Sequence, residues 1–398
     1  MKLVVLTNIL TPYRMPLFAA IKERVEEFTV LLMAEQEENR HWKLDAAPFT
    51  VRCLPGFHFK PPGQDVSLHF NYGVIKTLRE IDPDVVLSGG FGPANMAALI
   101  YCKLNRKRFV NWAHLTLCDG ADMSPVKRAV RRWFAVRSDG CIGESTQARA
   151  AFIHYGARPD RVLISLMPLA VRRIHDAVMA HRARLDFQIL RARYEGQVLL
   201  SIGQIIPRKG YAELFSIYER LLALGQKATL LVVGDGPDRP RFMQLVKEKG
   251  WDRVQFIGFV QSSDLPLYLA LADVFLFHTL YDPFGLVLSE AMAAGLSVVS
   301  SIHAVSTHDL IEEGVTGFTM DPTDAAAAAA TIQRVLDMPP AQRAAIGEAT
   351  YRRVAECDVE IAAEITVRFL ESLELDPRLS AAGPTPSVPV TPNRTVSR

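Results

Sequence analysis

Val198-Leu-Leu-Ser-Ile202, then Gly203-Gln-Ile-Ile-Pro-Arg208-Lys209-Gly210, then the helical run 211–224 form a strand, a turn and a helix in direct succession. A strand that is apolar throughout, rather than alternating, is buried on both faces, which is the signature of a parallel sheet covered by helices. The same unit recurs downstream at 229–233, 254–257, 274–277 and 297–300, and upstream at 3–6, 29–33, 85–88, 109–113 and 140–142. Two such series predict an α/β protein of two Rossmann-like, doubly wound parallel-sheet domains facing across a cleft. Ligands of such sheets bind at the carboxyl ends of the strands.

The boundaries follow from composition. Residues 1–172 are expected to form the first domain and 198–355 the second, with 173–197 a basic linker or inserted helix. Residues 356–374 read as a C-terminal helix crossing back to the first domain, and the Pro-, Ser- and Thr-rich stretch 375–398 as a disordered tail. Asn393-Arg394-Thr395 matches a glycosylation acceptor but is read as chance. Six alanines from Ala325 to Ala330 need no ligand to explain them, since Thr323 or Asp324 can cap a helix of high propensity there.

The chain has 398 residues, 49% hydrophobic and 22% charged, the balance of an ordinary globular protein. Lys and Arg total 45 against 43 Asp and Glu, so no global field recruits nucleic acid, and no reading motif is present. Cys53, Cys102, Cys118, Cys141 and Cys357 lack metal-finger spacing, and their odd number argues against a disulfide framework. With no signal peptide in MKLVVLTN and no 18-residue apolar run, a cytoplasmic location is expected.

Three segments can carry chemistry. In the first, Arg208, Lys209 and the following helix N-terminus can converge on one anion, and a diphosphate would fit. A solvated basic pair is the commoner fate of such a sequence. In the second, Val232-Val-Gly234-Asp235-Gly236-Pro237 repeats the strand-turn-helix form without dinucleotide spacing, and is also simply good turn chemistry. The third runs His278-Thr-Leu-Tyr-Asp282-Pro283-Phe284-Gly285-Leu286-Val-Leu-Ser-Glu290-Ala-Met-Ala-Ala-Gly295. Pro283 and Gly285 end a strand, a helix spans 286–294, and Gly295 stops it in the left-handed conformation. Asp282 before that helix and Glu290 on its second turn can each accept from vicinal hydroxyls, as a sugar and a ribose offer. A capping Asp and an exposed Glu are the plain alternative.

Taken in order, Gly203…Lys209-Gly210, Val233-Gly234-Asp235-Gly236-Pro237, Phe256-Ile257-Gly258-Phe259-Val260 and Asp282-x7-Glu290 with Ala291-Met292-Ala293 resemble the C-terminal half of retaining glycosyltransferases of family 4, which have the GT-B fold. The resemblance is close over residues 198–313 and looser before them. It implies that Lys209, beside Gly203 and with Arg208, holds a donor diphosphate and that Glu290 holds ribose hydroxyls. Asp282 and the backbone of Phe284, Gly285 and Leu286 would hold the donor sugar and distal phosphate. Gly236 would lie near the nucleotide, and Val260 and Leu265 would flank the base. The family has Arg after the first glycine and Glu as the first acid, where this chain has Gln204 and Asp282.

In the first half, Thr11-Pro12-Tyr13-Arg14 follows the first strand, and a similar loop in one branch of the family implies that Arg14 faces the cleft near the acceptor or a donor phosphate. Trp112-Ala-His114 ends a later strand and resembles the family's cleft histidine, placed beside the reacting sugar. Gly143-Glu144-Ser145 with Tyr155-Gly156 matches a strand-Ser-helix-Gly pattern and reads as packing more than chemistry.

The expected activity is therefore metal-independent, retaining transfer from a nucleotide sugar, which is a substrate and not a cofactor, to a glycan, lipid-linked or small-molecule acceptor, as in assembly of a surface polysaccharide. No Asp-x-Asp ends a strand and no His/Cys cluster occurs, so Lys209, Arg208 and helix N-terminal amides would meet the departing phosphate, which would itself take the acceptor's proton. Catalytic roles fall to His114, Lys209 and Asp282. The alternatives are a sugar-nucleotide epimerase or hydrolase, or a silent nucleotide-sugar binder. Residues 125–137 read as a basic amphipathic helix that either rests on an anionic membrane or packs Trp133 and Phe134 on the sheet with a solvated basic face.

Overall fold

The computed structural model describes residues 1–35, 46–59, 68–116 and 123–373. Cys118, the stretch 375–398 and its Asn393 acceptor sequence lie outside the described residues. The chain divides into two units, Met1–Leu169 with the segment from Val359, and Ala170–Asp358.

The first unit contains β1 (Lys2–Thr7), β2 (Glu27–Leu32), β3 (Thr50–Cys53), β4 (Gly56–Phe59), β5 (Leu68–Asn71), β6 (Val85–Gly89), β7 (Arg108–Ala113), β8 (Gly140–Gly143) and β9 (Val162–Ile164). Its helices are α1 (Met15–Lys22), α2 (Val74–Ile81), α3 (Pro93–Leu104), α4 (Pro125–Arg137) and α5 (Thr146–His154). Seven strands form one parallel sheet in the order β3-β2-β1-β6-β7-β8-β9, and β4 and β5 pair as a separate antiparallel hairpin. The apolar runs of β1 and β6 are buried because helices cover both faces. On one face α2, α3 and α4 pack Leu78, Leu99 and Phe134 against Val4, Val86 and Phe109. Phe134 is thus a core residue, while Lys127, Arg128 and Arg132 of the same helix are exposed.

The second unit contains α6 (Val171–Arg182), α7 (Leu185–Arg191), β10 (Val198–Ile202), α8 (Tyr211–Ala223), β11 (Thr229–Val233), α9 (Arg239–Lys249), β12 (Val254–Gly258), α10 (Leu265–Leu271), β13 (Val274–Phe277), α11 (Leu286–Ala293), β14 (Ser297–Ser301), α12 (Val305–Leu310), β15 (Phe318–Met320), α13 (Ala325–Leu336) and α14 (Pro340–Ala355). Its parallel sheet runs β12-β11-β10-β13-β14-β15. Asp324 caps α13 by accepting from the Ala327 amide at 3.0 Å. The stretch read as a basic linker is part of this unit. Val171, Val178 and Phe187 are buried, α6 packs on α10 and α11, and His175 Nδ1 meets the Ala293 carbonyl at 3.0 Å. Its spaced apolar residues were too few to announce that face in a sequence rich in arginine.

The last described helix, α15 (Val359–Ser372), returns to the first unit and packs on α1, with Arg24 paired to Glu360 at 2.7 Å. Both sheets match the GT-B architecture, two Rossmann-like parallel sheets flanked by helices. In each, the strand order reverses direction at one point, between β1 and β6 in the first and between β10 and β13 in the second. A crevice opens at the carboxyl ends of such a strand pair because the two connections leave to opposite sides. Among the described residues no helix is long and apolar enough to cross a membrane.

Candidate functional site

In the second unit, Lys209 follows β10 and Asp282 follows β13, the two strands of the reversal point. Lys209 Nζ donates to Asp282 Oδ2, and the side chains are only 16% and 8% exposed. Local structure brings the lysine there. Pro207–Lys209 forms one 3-10 turn, and Gly210 follows at φ 71°, where a side chain would also place Cβ 2.2 Å from the His278 carbonyl oxygen. The turn is tied to the β13 loop through the Arg208 carbonyl, which accepts from the amides of Leu280 at 2.9 Å and Tyr281 at 3.2 Å and from Thr279 Oγ1 at 3.0 Å. The Arg208 guanidinium reaches back to the Tyr281 carbonyl at 3.4 Å.

Beneath this turn His278 is fully buried. Its Nδ1 lies 2.9 Å from the Gly210 carbonyl and its Nε2 2.7 Å from Ser201 Oγ. A carbonyl can only accept, so Nδ1 carries the proton and Nε2 accepts from the serine. Burial pushes the imidazole down to about 4, and it is neutral at physiological pH.

Asp282 also accepts from the Phe284 amide at 3.2 Å, and Ser306 Oγ donates to the Phe284 carbonyl. The Phe284 amide, expected to face a ligand, is thus engaged by the adjacent carboxylate. Gly285 at φ 87° then starts α11; the Leu288 amide donates to the Gly285 carbonyl at 2.9 Å, and the earlier amides of Leu286 and Val287 have no intrahelical acceptor. Glu290 is half-buried on the second turn, and its carboxyl has no hydrogen-bond or ion partner among the described residues. Burial pushes it up to about 7. The remaining candidates spread along the same carboxyl edge: Gly203 after β10, Gly236 after β11, and Val260 and Leu265 after β12. In the sheet β11 and β10 lie between β12, which Val260 and Leu265 follow, and β13, which Asp282 follows.

Arg14 and His114 belong to the first unit, and there they meet around a residue the sequence did not single out as chemical. Glu144, directly after β8, is 1% exposed; its Oε2 lies 2.6 Å from His114 Nε2 and its Oε1 3.8 Å from an Arg14 guanidinium nitrogen. At 2.6 Å a carboxylate oxygen can face that ring nitrogen only if the nitrogen bears a proton. Arg14 stacks 4.4 Å from the Trp112 ring centroid and donates to Thr7 Oγ1 at 3.4 Å. Burial alone would lift the Glu144 carboxyl, yet the charges of His114 and Arg14 prevail and hold it below its usual value.

Residues 183–353 match the family described as "Glycosyl transferases group 1". Over 221 residues the chain is 29% identical to a 2-deoxystreptamine glucosyltransferase of Streptomyces kanamyceticus, covering 54% of this chain and 56% of that one. It is 35% identical over 127 residues to a mannosylfructose-phosphate synthase of Agrobacterium fabrum, covering 29% and 28%. The chain thus spans about half, or less, of the length of these curated relatives. Among solved structures, Anabaena HepE in complex with UDP superposes with a TM-score of 0.74 at 21% identity, covering 94% of this chain and all of that one. A sucrose-phosphate synthase from Thermosynechococcus elongatus gives 0.69 at 18% identity over 94% and 99% of the two chains. The likeness to these solved structures shows the GT-B fold.

Sequence reasoning missed Glu144, His278 and Ser201. For Glu144 a signal existed, since an acid lodged between a buried strand and the capping Ser145 must find a cation. Ser201 and His278 carry no such signal, because their partnership spans two strands distant in sequence.

Proposed function

We propose that this protein transfers a sugar from a nucleotide-activated donor to a hydroxyl of a glycan, lipid-linked or small-molecule acceptor, with retention at the anomeric carbon and without a metal. The observation that carries the reading is the meeting of Lys209 and Asp282 at the reversal point of the second sheet, beside the N-terminus of α11. A diphosphate entering this crevice takes over the Lys209 ammonium, and Arg208 and the free amides of Gly285 and Leu286 add donors to the same anion. Asp282, released from the lysine, accepts from sugar hydroxyls, and Glu290 does the same for the ribose.

As the anomeric bond breaks, negative charge grows on the departing phosphate, where the preformed cation and helix amides count most. That phosphate takes the proton of the acceptor hydroxyl arriving on the same face, which yields retention. Arg14 and His114 serve the acceptor side. Because HepE structures carry UDP and UDP-glucose, UDP-glucose is the first donor to try.

A thermal-shift panel of nucleotide sugars, followed by transfer assays with anomeric configuration read by proton NMR, tests this. A donor in excess of its Kd raises Tm by mass action. Lys209→Ala and Glu290→Ala should abolish both the shift and transfer while leaving the fold intact. A panel without any shift, or wild-type turnover in both variants, would sink the reading.

A further inference from the structure

In the β4–β5 hairpin of the first unit, β5 turns its polar residues inward, and Phe57, His58 and Phe59 of β4 are all exposed. Successive residues of a strand point to opposite faces, and a soluble hairpin lays its apolar face on the protein and its polar face in water. Here Asn71 and His69 are buried, and Asn71 Nδ2 donates to the Met33 carbonyl at 2.8 Å and the Leu54 carbonyl at 3.2 Å. His69 faces its cross-strand partner His58, Nδ1 to Nδ1, at 2.9 Å. The opposite face carries the aromatics. Phe57 and Phe70 are cross-strand partners with stacked rings 5.1 Å apart, Phe59 lies two residues along β4, and Tyr72 stands in the turn directly after β5. Phe57, Phe59 and Tyr72 are 63%, 54% and 79% exposed.

The surroundings supply charge. Met33 and Leu54 follow β2 and β3, so their bonds to Asn71 seat the hairpin at the carboxyl edge of the sheet. α3 packs on both β5 and α4. α4 starts at that same carboxyl edge, and its sequence Pro125-Val-Lys-Arg-Ala-Val-Arg-Arg-Trp-Phe-Ala-Val-Arg137 contains no acid. Val126, Lys127, Arg128 and Arg132 are exposed. Aromatics that partition to the water–lipid boundary, flanked by exposed cations, complement an anionic leaflet in both polarity and charge.

We propose that the aromatic face of the β4–β5 hairpin, flanked by the cationic side of α4, docks the first unit onto an anionic lipid bilayer. Phe57, Phe59 and Tyr72 enter the interfacial layer, and Lys127, Arg128 and Arg132 lie over the headgroups. The carboxyl edge of the first sheet, with Arg14 and His114, then lies on the membrane side. The inference does not depend on the proposed sugar transfer.

Co-sedimentation of the full chain with vesicles tests it. Binding is expected to vesicles of phosphatidylcholine and phosphatidylglycerol in equal parts, to weaken as salt rises, and to be absent with phosphatidylcholine alone. Phe57→Ser with Phe59→Ser, and separately Arg128→Glu with Arg132→Glu, should each weaken binding at least about tenfold. All four positions are exposed, and Tyr72→Ser gives an independent reading should either pair lower expression. Absence of sedimentation with the anionic vesicles overturns the proposal, as does binding that survives the phenylalanine changes. So does a dimer in ultracentrifugation that those changes convert to monomer, since a second copy would then be the occupant.

Discussion

Lys209 and Asp282 are 73 residues apart in sequence and share one ion pair where the strand order of the second sheet reverses. Both side chains are largely buried, and each holds the other in place. The site is thereby preorganised: a cation and a carboxylate are fixed at the crevice before any ligand arrives. A diphosphate has to displace only the carboxylate.

Removing one partner leaves the other charge largely buried. Lys209→Met and Asp282→Asn should therefore each destabilise the protein by more than a surface substitution does, whereas the double variant should cost less than the sum. Urea denaturation of the four proteins should give a coupling of about 1 to 3 kcal/mol. Additive losses would show that the pair is not a working unit.

Glu290 should make donor affinity depend on pH. Its carboxyl is pushed up to about 7 by burial, above its unfolded value, so the folded state holds the proton more tightly. Its contribution is complete below the unfolded pKa and is lost as pH rises to about 7, a loss of order 3 kcal/mol. Glu290→Gln should remove this slope and stabilise the protein at pH 8. In the wild type, UDP affinity measured by calorimetry should strengthen as pH passes through about 7, because only the carboxylate accepts from both ribose hydroxyls. A flat profile in the wild type would remove the ribose role.

Much of this site was legible in the sequence because its parts are local. A continuous apolar strand, a turn with Pro207 and Gly210 and a helix announce where Lys209 stands, and Pro283, Gly285 and Gly295 bracket the helix that carries Glu290. Partnerships were not legible. That Asp282 accepts from both Lys209 and the Phe284 amide, or that Glu144 neutralises Arg14 and His114, follows from which strands neighbour each other, and sequence spacing does not encode it. The hairpin was missed for another reason: its short strands alternate aromatic and polar residues, yet on β5 it is His69 and Asn71 that are buried, while Phe57 and Phe59 are exposed.

His278 should limit acid stability. Burial pushes its imidazole down to about 4, so the folded state refuses a proton that the unfolded chain accepts near its ordinary value. Its contribution is full above the unfolded pKa of about 6.5 and is lost as pH falls toward about 4. His278→Ala should flatten this acid limb. It also strands the Ser201 hydroxyl and the Gly210 carbonyl and opens a cavity, at a cost of about 2 to 4 kcal/mol at pH 7. Thermal denaturation from pH 4 to 8 checks both effects, and an acid limb unchanged in the variant would assign it to other groups.

Glu144 gives the sharpest separation of the two units. Its carboxyl is held below its usual value, so its contribution is present above the unfolded pKa and is lost as pH falls through the folded one. Glu144→Gln keeps the volume but leaves Arg14 buried without its counter-charge, and should destabilise the fold by about 3 kcal/mol. Arg14→Met should recover part of that loss in the double variant, because the stranded cation is then gone. On the proposed function, nucleotide binding belongs to the second unit, so a UDP-induced rise in Tm should persist in Glu144→Gln. Transfer should fall at least about tenfold, since the His114 ring then faces a neutral amide in place of the carboxylate that anchors Nε2. Loss of the UDP shift together with transfer would mean that the substitution disrupts more than the acceptor side, and full transfer would show that the His114–Glu144 contact serves stability alone.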